Sequence, residues 1–354
     1  MSYQGIIHRY HEFMDLPPAV QPITLYEGNT PLIPVPAIAD NLGGGFELYV
    51  KYEGLNPTGS FKDRGMTTAM TMAKHNGKKT VICASTGNTA ASAAAYASRA
   101  GLRAIVMIPE GKVAAGKLAG AVAYGAEIIQ IPGSFDDALS FVVEISQKSE
   151  IELVNSLNPY RMEGQKTASF EICDELGSAP DWLCLPVGNA GNITAYWMGF
   201  TQYNRIKNTG LPHILGVQAE GAAPLVIGHT VEHPETVATA IRIGNPARGE
   251  QALMAAEESK GRIIAVSDEK ILAAQKMLAS SGIWVEPASA AGLAGLIDRI
   301  KNNSFDPKGK RIVLVCTGHG MKDPDIIISR GIKPVRLPVD FDKVAEYILG
   351  GRIQ

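Results

Sequence analysis

The sequence predicts an α/β protein built from mostly parallel, twisted sheets with helices on both faces. Short runs of β-branched and apolar residues recur along the 354-residue chain, and helix-length segments separate most of them. Continuous apolar strands that alternate with helices are typical of right-handed βαβ units, whose parallel sheets are covered on both faces. The predicted strands are residues 80–84, 103–108, 127–131, 152–154, 182–187, 213–218, 262–266 and 311–316.

The order of these segments along the chain suggests two domains. A break in composition near residues 155–159 separates a first group of βα units from a second. We therefore expect a smaller, mobile α/β domain over residues 51–155 and a large α/β domain over residues 156–354. Residues 1–50 are rich in proline, and we expect them to form an extended arm and part of the large domain. The predicted helices are residues 85–100, 114–124, 135–148, 192–207 and 268–281.

Charge and composition exclude several classes of protein. The chain carries 33 Lys and Arg against 35 Asp and Glu, a net charge of −2, whereas a general nucleic-acid binder needs a clustered basic surface. No apolar stretch has the ~18 residues of a membrane-spanning helix, and the first residues lack the pattern of a secretory signal. We expect a soluble, cytoplasmic protein. Its four cysteines are far apart and lack metal-ligand spacing, so we expect neither a structural disulfide nor a metal site.

A glycine-containing loop joins one predicted strand to the next predicted helix. Residues 188–192, with the sequence GNAGN, follow the strand at 182–187. Two glycines let backbone N–H groups converge, and the helix N-terminus adds about half a positive charge, so the loop suits a phosphate group. The alternative is a tight turn with Asn192 as the helix N-cap. The loop lacks the G-x-G-x-x-G pattern of dinucleotide-binding proteins, which disfavours a nicotinamide enzyme.

A lysine stands in the first turn of another predicted helix. Pro57 and Gly59 predict a turn, Ser60 is the expected N-cap, and Asp63 three residues later completes a capping-box pattern. Lys62 then lies where the helix dipole disfavours a cation, so partial burial would bias its side chain toward a neutral, nucleophilic amine. On this pattern alone, an ordinary solvated lysine is the alternative.

A third segment partly matches the sequence pattern of a nucleotide-binding loop. Residues 111–118 match G-x-x-x-x-G-K, but Leu118 stands where a Ser or Thr hydroxyl would hold Mg²⁺. We therefore expect no P-loop. A nucleotide-binding or regulatory module that uses this segment is the alternative from another functional class.

Four motifs in a fixed order resemble the fold type II pyridoxal-phosphate enzymes, which share the fold of the tryptophan synthase β chain. They are NPTGSFKDRG at 56–65, STGNT at 85–89, GNAGN at 188–192 and TGHG at 317–320, and the resemblance spans residues 24–320. Within this superfamily, NSLNPYRMEGQK at 155–166 and the GNAGN loop are similar to the threonine synthases in their short bacterial form. Serine and threonine dehydratases typically carry an all-glycine phosphate loop instead.

The resemblance implies a role for each matching residue. Lys62 would form a Schiff base with pyridoxal 5'-phosphate and then move protons on the substrate. Asn88 would hydrogen-bond the ring hydroxyl, and Thr317 would face the ring nitrogen with a neutral hydroxyl, which favours elimination over transamination. The cofactor phosphate would be held by Gly188, Asn189, Ala190, Gly191 and Asn192.

The same resemblance, with the residue types themselves, indicates how a substrate would bind. Hydroxyls and amides at a helix start can bind a carboxylate. Ser85, Thr86 and Thr89, together with Asn88, supply such groups. A guanidinium binds phosphate in a bidentate fashion, which favours Arg161 as the centre of a substrate phosphate pocket. Its other expected members are Asn155, Ser156, Thr89 and Asn189.

The implied activity is that of a cytoplasmic, homodimeric lyase of threonine biosynthesis. It would convert O-phosphohomoserine and water to L-threonine and phosphate by γ-elimination and β-addition. A threonine or serine dehydratase, or a β-replacing enzyme similar to cysteine synthase, is the alternative within the same fold.

Overall fold

The computed structural model describes residues 2–110, 115–328, 331 and 334–350, with the side chains of 115–117 left out. Part of the P-loop-like segment, residues 111–114, therefore lies outside the described residues. The strands are β1 (Leu32–Pro34), β2 (Glu47–Tyr52), β3 (Thr80–Ala84), β4 (Arg103–Pro109), β5 (Glu127–Ile131), β6 (Glu152–Leu153), β7 (Trp182–Pro186), β8 (His213–Ala219), β9 (Arg262–Val266) and β10 (Arg311–Cys316).

Helices connect and cover these strands. They are α1 (Ile6–Tyr10), α2 (Pro36–Asn41), α3 (Lys62–His75), α4 (Asn88–Ala100), α5 (Ala115–Ala123), α6 (Phe135–Lys148), α7 (Tyr160–Gln165), α8 (Thr167–Leu176), α9 (Gly191–Lys207), α10 (Pro224–Ile227), α11 (Gly249–Glu258), α12 (Asp268–Ser280), α13 (Ala291–Lys301), α14 (Asp325–Ile328) and α15 (Phe341–Gly350). Single-turn 3₁₀ helices occur at His11–Phe13, Glu53–Leu55, Thr239–Ile241, Pro287–Ala290 and Gly320–Lys322.

Two sheets carry the fold, and their topology confirms the predicted α/β class. One has the strand order β1-β2-β10-β7-β8-β9 and the other the order β5-β4-β3-β6. All neighbouring strands are parallel except β1 and β2. Strands β7, β8 and β10 are almost entirely buried. Parallel strands covered on both faces read as continuous apolar runs, which is why the sequence revealed them.

Residues 1–50, expected to form an extended arm and part of the large domain, also contain short regular elements. This region contains helices α1 and α2 and strand β1, and β2 pairs in parallel with β10 inside the larger sheet. Leu48, Val50 and Tyr52 of β2 are buried while Glu47 is exposed. The many prolines of this region favoured extended chain in the sequence analysis, and strand β2 was therefore not predicted.

The predicted capping box at the start of α3 was also wrong. The helix begins at Lys62, its N-cap position is Phe61, and no side chain caps it. The Asp63 carboxylate instead accepts hydrogen bonds from the backbone N–H and the hydroxyl of Thr58, both at 2.6 Å, and from the Ser92 hydroxyl at 2.5 Å. Asp63 thereby fixes the preceding turn and joins α3 to α4.

A buried cluster of four charged side chains anchors α3 to its neighbours. In this cluster, called the Arg64 cluster below, Arg64 Nε lies 2.7 Å from Glu53 Oε2, and Arg64 Nη2 lies 2.6 Å from Glu171 Oε2. Lys51 Nζ lies 2.8 Å from the same oxygen of Glu171. Two cations thus face two carboxylates, which balances the buried charge. Although burial raises the pKa of Glu171, Arg64 and Lys51 lower it well below its usual range.

The chain forms two compact units, Met1–Asp323 and Pro324–Gln354. The second contains α14 and α15, and Phe341, Ile348 and Leu349 of α15 are exposed. Both sheets belong to the first unit, so the domain boundaries expected near residues 50 and 155 stay a prediction. Within the described part of the chain, no helix is both long and apolar enough to cross a membrane.

Close approach of α3 and α7 depends on a glycine, which gives a stability prediction. A Cβ added at Gly164 would overlap the carbonyl oxygen of Arg64, so we expect Gly164→Ala to lower the free energy of unfolding by about 1–3 kcal/mol or more. Denaturant unfolding monitored by circular dichroism measures this. The matched control is Gly120→Ala in α5, where the added Cβ would lie 3.3 Å from the Cβ of Ala91. Equal stability of the two variants would contradict the proposed packing.

Candidate active site

All fourteen residues singled out in the sequence line one pocket at the carboxyl ends of the strands. Ligands bind at this edge in open α/β sheets because loops there lead into helix N-termini. The pocket walls include the start of α3, the loop from β3 to α4, the segment from β6 into α7, the loop from β7 to α9, the turn at residues 239–243 and the segment that follows β10. The residues brought together are Lys62, Ser85, Thr86, Asn88, Thr89, Asn155, Ser156, Arg161, Gly188, Asn189, Ala190, Gly191, Asn192 and Thr317.

Lys62 is the first residue of α3, and its amine lies inside the pocket wall. Its Nζ is 3.9 Å from the centre of the Phe61 ring. Burial and the positive charge of Arg161, partly opposed by Glu286, lower the pKa of Lys62 to about 7. A large fraction of this amine is therefore neutral near pH 7, as a nucleophile or a base requires.

The loop at residues 188–192 has the features of an anion site. It leads into α9, a helix of 17 residues, and Ala190 has a left-handed conformation with φ 64° at the N-cap position. The predicted alternative, Asn192 as N-cap, was thus wrong. The Nδ2 atom of Asn192 is buried without a hydrogen-bond partner. A Cβ at Gly188 would lie 3.0 Å from the Cα of Ile241, so that wall of the loop admits no side chain. An unpartnered donor beside a helix N-terminus fits a phosphate group.

Hydroxyl and amide side chains shape the loop from β3 to α4. Ser85 Oγ accepts hydrogen bonds from the backbone N–H groups of Gly87 and Ala90, both at 3.2 Å. The Asn155 amide forms two hydrogen bonds of 2.9 Å with the backbone of Ala84, one as donor and one as acceptor. Asn155 therefore fixes the start of this loop and keeps one N–H of its amide for a ligand.

Arg161 is a buried cation with little to compensate it. Its side chain is 1% exposed, Nη1 donates to the carbonyl of Val154 at 3.2 Å, and Nε has no hydrogen-bond partner. Among the described residues, no carboxylate pairs with it. Burial and, to a smaller extent, the charge of Arg248 lower its pKa to about 10, so the guanidinium remains charged at neutral pH. A buried unpaired charge is costly, which makes this position suited to an anionic ligand.

Thr317 lies at the end of β10 with its hydroxyl 2.8 Å from the hydroxyl of Ser289. Its carbonyl accepts a 3.0 Å hydrogen bond from the N–H of Phe61. This contact joins the residue before Lys62 to the end of β10. It therefore fixes the start of α3 relative to Thr317.

Sequence reasoning missed several polar residues at the pocket, among them Gln165, Thr239 and Arg242. Glu286 and Lys322 line it, and Ser289 lies behind Thr317. Glu286 follows the apolar run IWV and precedes PASA, and a lone carboxylate in such surroundings was a usable signal. Lys322 and Ser289 carried no comparable signal. Each belongs to a single-turn 3₁₀ helix, which the sequence pattern did not reveal.

These features describe an α/β enzyme that holds a phosphorylated cofactor beside an amine, and comparison with known proteins agrees. The family model described as pyridoxal-phosphate dependent enzyme matches residues 23–318. The solved structure of a T.th. threonine deaminase is 27% identical with a TM-score of 0.68, covering 83% of this chain and 93% of that one. Maize serine racemase, at 23% identity and a TM-score of 0.74, covers 93% and 97% and shows the fold alone.

Comparison of sequences narrows the family. A threonine synthase of Halalkalibacterium halodurans is 55% identical over 352 residues, which is 99% of both chains. One of Mycobacterium tuberculosis is 53% identical over 346 residues, or 97% of this chain and 95% of that one. The chain belongs to the threonine synthases within the pyridoxal-phosphate dependent enzymes. The resemblance stated from the motifs is thereby confirmed, as are the cofactor and the lyase class.

The low pKa of Lys62 can be measured directly on the cofactor-free protein. We expect its rate of reductive methylation, followed by mass spectrometry, to reach half its maximum near pH 7, because burial and Arg161 favour the neutral amine. The amine should be protonated below that pH and neutral above it. Lys78, whose pKa is raised by its hydrogen bond to Glu150, is the internal control. If Lys62 and Lys78 become reactive over the same pH range, the assignment of a neutral amine is wrong.

Proposed function

We propose that this protein converts O-phosphohomoserine and water to L-threonine and phosphate. The observation that carries the proposal is the presence in one pocket of two separate groups for anions. The loop at residues 188–192 suits one phosphate, and the buried guanidinium of Arg161 suits a second. A substrate that is itself phosphorylated needs both, whereas a dehydratase substrate would leave Arg161 uncompensated.

Residues of the pocket fit the cofactor. Backbone N–H groups of Gly188 to Asn192 would bind its phosphate, the Asn88 amide its ring hydroxyl, and the Thr317 hydroxyl, supported by Ser289, its ring nitrogen. When bound, pyridoxal phosphate withdraws electrons from the carbon atoms of an attached amino acid, which acidifies their C–H bonds. The neutral hydroxyl of Thr317 would not hold a proton on the ring nitrogen as a carboxylate would, and this favours elimination.

The side chains of this pocket would then handle substrate and protons. Ser85, Thr86 and the N-terminus of α4 bind the α-carboxylate, which fixes the amino acid beside Lys62. Lys62 Nζ, neutral in part near pH 7, accepts the proton from Cα and returns protons as the reaction proceeds. Its position in the pocket wall keeps it close to successive carbons of a short substrate.

Departure of phosphate is the step that Arg161 would assist. A proton is then lost from Cβ, and its electron pair forms a double bond to Cγ as the bond between Cγ and oxygen breaks. The electron pair of that broken bond leaves with the phosphate, and the guanidinium offsets the negative charge that develops there. Thr89, Asn155, Ser156 and Asn189 complete this part of the pocket. The oxygen of water then bonds to Cβ, and a proton is added at Cγ, which becomes the methyl group of threonine.

We also propose that the enzyme acts in the cytoplasm as a homodimer. All four cysteines are buried free thiols, as expected in a reducing compartment. Twofold homodimers are the commonest closed assembly and are implied by the family resemblance. Sedimentation velocity at working concentration would contradict the dimer if it gave the monomer mass of 37.7 kDa.

The activity itself is tested by mixing the cofactor-loaded protein with O-phosphohomoserine. We expect phosphate and threonine to appear in equal amounts, and Lys62→Ala to abolish both because no other amine takes its place. Phosphate assay and amino-acid chromatography follow the two products. The proposal fails if O-phosphohomoserine releases no phosphate while serine or threonine is deaminated, since that result identifies a dehydratase.

The substrate phosphate pocket is tested by Arg161→Lys, which keeps the charge and loses the bidentate geometry. We expect KM for O-phosphohomoserine to rise about 10- to 100-fold, in line with hydrogen bonds to charged groups, and free phosphate to inhibit less. Steady-state kinetics provide both numbers, and the exposed Arg205→Gln is the matched control. An unchanged KM would show that Arg161 does not bind the substrate phosphate.

A further inference from the structure

A buried carboxylate joins the loop of one sheet to the strand end of the other. Glu286 is 3% exposed, and both of its carboxylate oxygens lie 3.1 Å from Asn88 Nδ2. Asn88 begins α4 after β3 of the four-stranded sheet, whereas Glu286 lies beside the turn that follows β10 of the six-stranded sheet. The contact is therefore a bridge between the two halves of the pocket.

The main chain around Glu286 is held firmly. Its N–H donates to the carbonyl of Gly318 at 3.2 Å, and its carbonyl accepts from the N–H of Ser289 at 3.0 Å. The Ser289 hydroxyl in turn accepts a 2.8 Å hydrogen bond from the N–H of Gly318. A Cβ at Gly318 would lie 2.5 Å from Glu286 Oε1, so the glycine provides the space in which the carboxylate sits. The carboxylate thus has a fixed position relative to Thr317.

The Asn88 side chain, by contrast, has no other hydrogen-bond partner among the described residues. Ser85 organises the backbone of its loop at Gly87 and Ala90, but only Glu286 restrains the amide itself. Because Glu286 accepts from Nδ2, the amide nitrogen points toward Glu286 and the amide oxygen is directed elsewhere. Removing the acceptor would free the amide to rotate.

An amide and two lysines surround the buried carboxylate of Glu286. Burial raises the pKa of Glu286 above its usual value and the charge of Asp323 adds to this rise, whereas the hydrogen bond from Asn88 and the charges of Lys62 and Lys322 oppose it. Both lysines line the pocket with Glu286, so Asn88 and the nearby amines favour its ionised form against the effect of burial. Lys322 is itself held in place by donating to the carbonyl of Thr58 at 3.1 Å.

We propose that Glu286 is a positioning residue that acts through Asn88. Its carboxylate fixes the Asn88 amide in the orientation that meets the ring hydroxyl of the cofactor, and it holds the loop at residues 84–89 against the strand end that carries Thr317. The kinetic test of this inference rests on the proposed function. The structural test needs only the cofactor-free protein.

The structural readout is hydrogen exchange of the cofactor-free protein. In Glu286→Gln and in Glu286→Asp, which withdraws the carboxylate by one methylene, we expect the amides of residues 84–91 to exchange about tenfold faster, as expected for loss of a charge-assisted hydrogen bond. Asp323→Asn is the matched control, because it also removes a nearby negative charge, from a carboxylate that accepts a hydrogen bond from the Thr239 hydroxyl. Retention of wild-type exchange in both Glu286 variants, or equal acceleration in the control, would overturn the proposal.

The kinetic readout is a double-mutant cycle with Asn88→Ala. Glu286→Gln alone should lower kcat about 10- to 100-fold, in line with the loss of a hydrogen bond to a charged group, with KM for O-phosphohomoserine changed less than about twofold. In the Asn88→Ala background the same substitution should have no further effect. An undiminished effect there means that Glu286 acts by another route and overturns the proposal, as does full activity of Glu286→Asp beside a defective Glu286→Gln.

The two proposals fail in different ways. If the wild-type protein makes no threonine, the proposed function is wrong, while faster exchange at residues 84–91 in the Glu286 variants still supports the positioning role. If threonine forms and exchange in the variants is unchanged, the positioning role alone is wrong. Circular dichroism of each variant confirms that exchange is compared between folded proteins.

Discussion

The fork of Arg64 is the interaction on which the geometry of the pocket depends. Its guanidinium donates to both oxygens of Glu53 and both oxygens of Glu171, and it lies two residues after Lys62. The partners come from the 3₁₀ turn after β2 and from α8, so one side chain connects the first turn of α3 to two other elements. Loss of one partner from a buried ionic group costs about 3–5 kcal/mol. The first turn of α3, and with it the backbone of Lys62, is held in one place.

A rigid α3 allows the pocket to bury a lysine without a carboxylate in contact with it. Lys62 lies at the positive end of the helix dipole, against the Phe61 ring, with Arg161 across the pocket. Burial, the helix dipole and Arg161 disfavour the ammonium form and outweigh the Phe61 ring face and the charge of Glu286, which favour it. The amine stays in this unfavourable place for a cation because α3 cannot move away. The Arg64 cluster, the Asp63 contacts and the close packing of Gly164 hold the helix. Arg64, which has a structural role, is ion-paired, whereas Lys62, two residues earlier in the same helical turn, has no carboxylate in contact with its amine.

Features that depend on near neighbours in the chain could be predicted from the sequence, and features that depend on distant partners could not. Strands β3, β5, β9 and β10 have the predicted bounds, because buried parallel strands leave continuous apolar runs. Strand β2 escaped because it mixes lysine, glutamate and tyrosine with only two aliphatic residues. In the site, each recognisable motif contains its own turn, helix start or glycine. Glu286 was missed because its importance arises from a contact with Asn88, 198 positions earlier in the chain. Asp63 was placed in a local capping box, whereas the folded chain gave it Thr58 and Ser92 as partners.

A near-neutral protein can still bind highly charged small molecules, and this pocket indicates how. The overall charge of −2 excludes attraction for long polyanions, but the pocket itself contains Lys62, Arg161, Arg242 and Lys322 against the single carboxylate of Glu286 among its described lining residues. Burial strengthens each uncompensated charge because little water screens it. Excess positive charge is therefore confined to the place where phosphate and carboxylate groups would sit, and its cost is offset when they bind. The charge of Glu286 acts on Lys62 and Lys322, and among the described residues no carboxylate pairs with Arg161, which leaves that guanidinium free for an incoming anion.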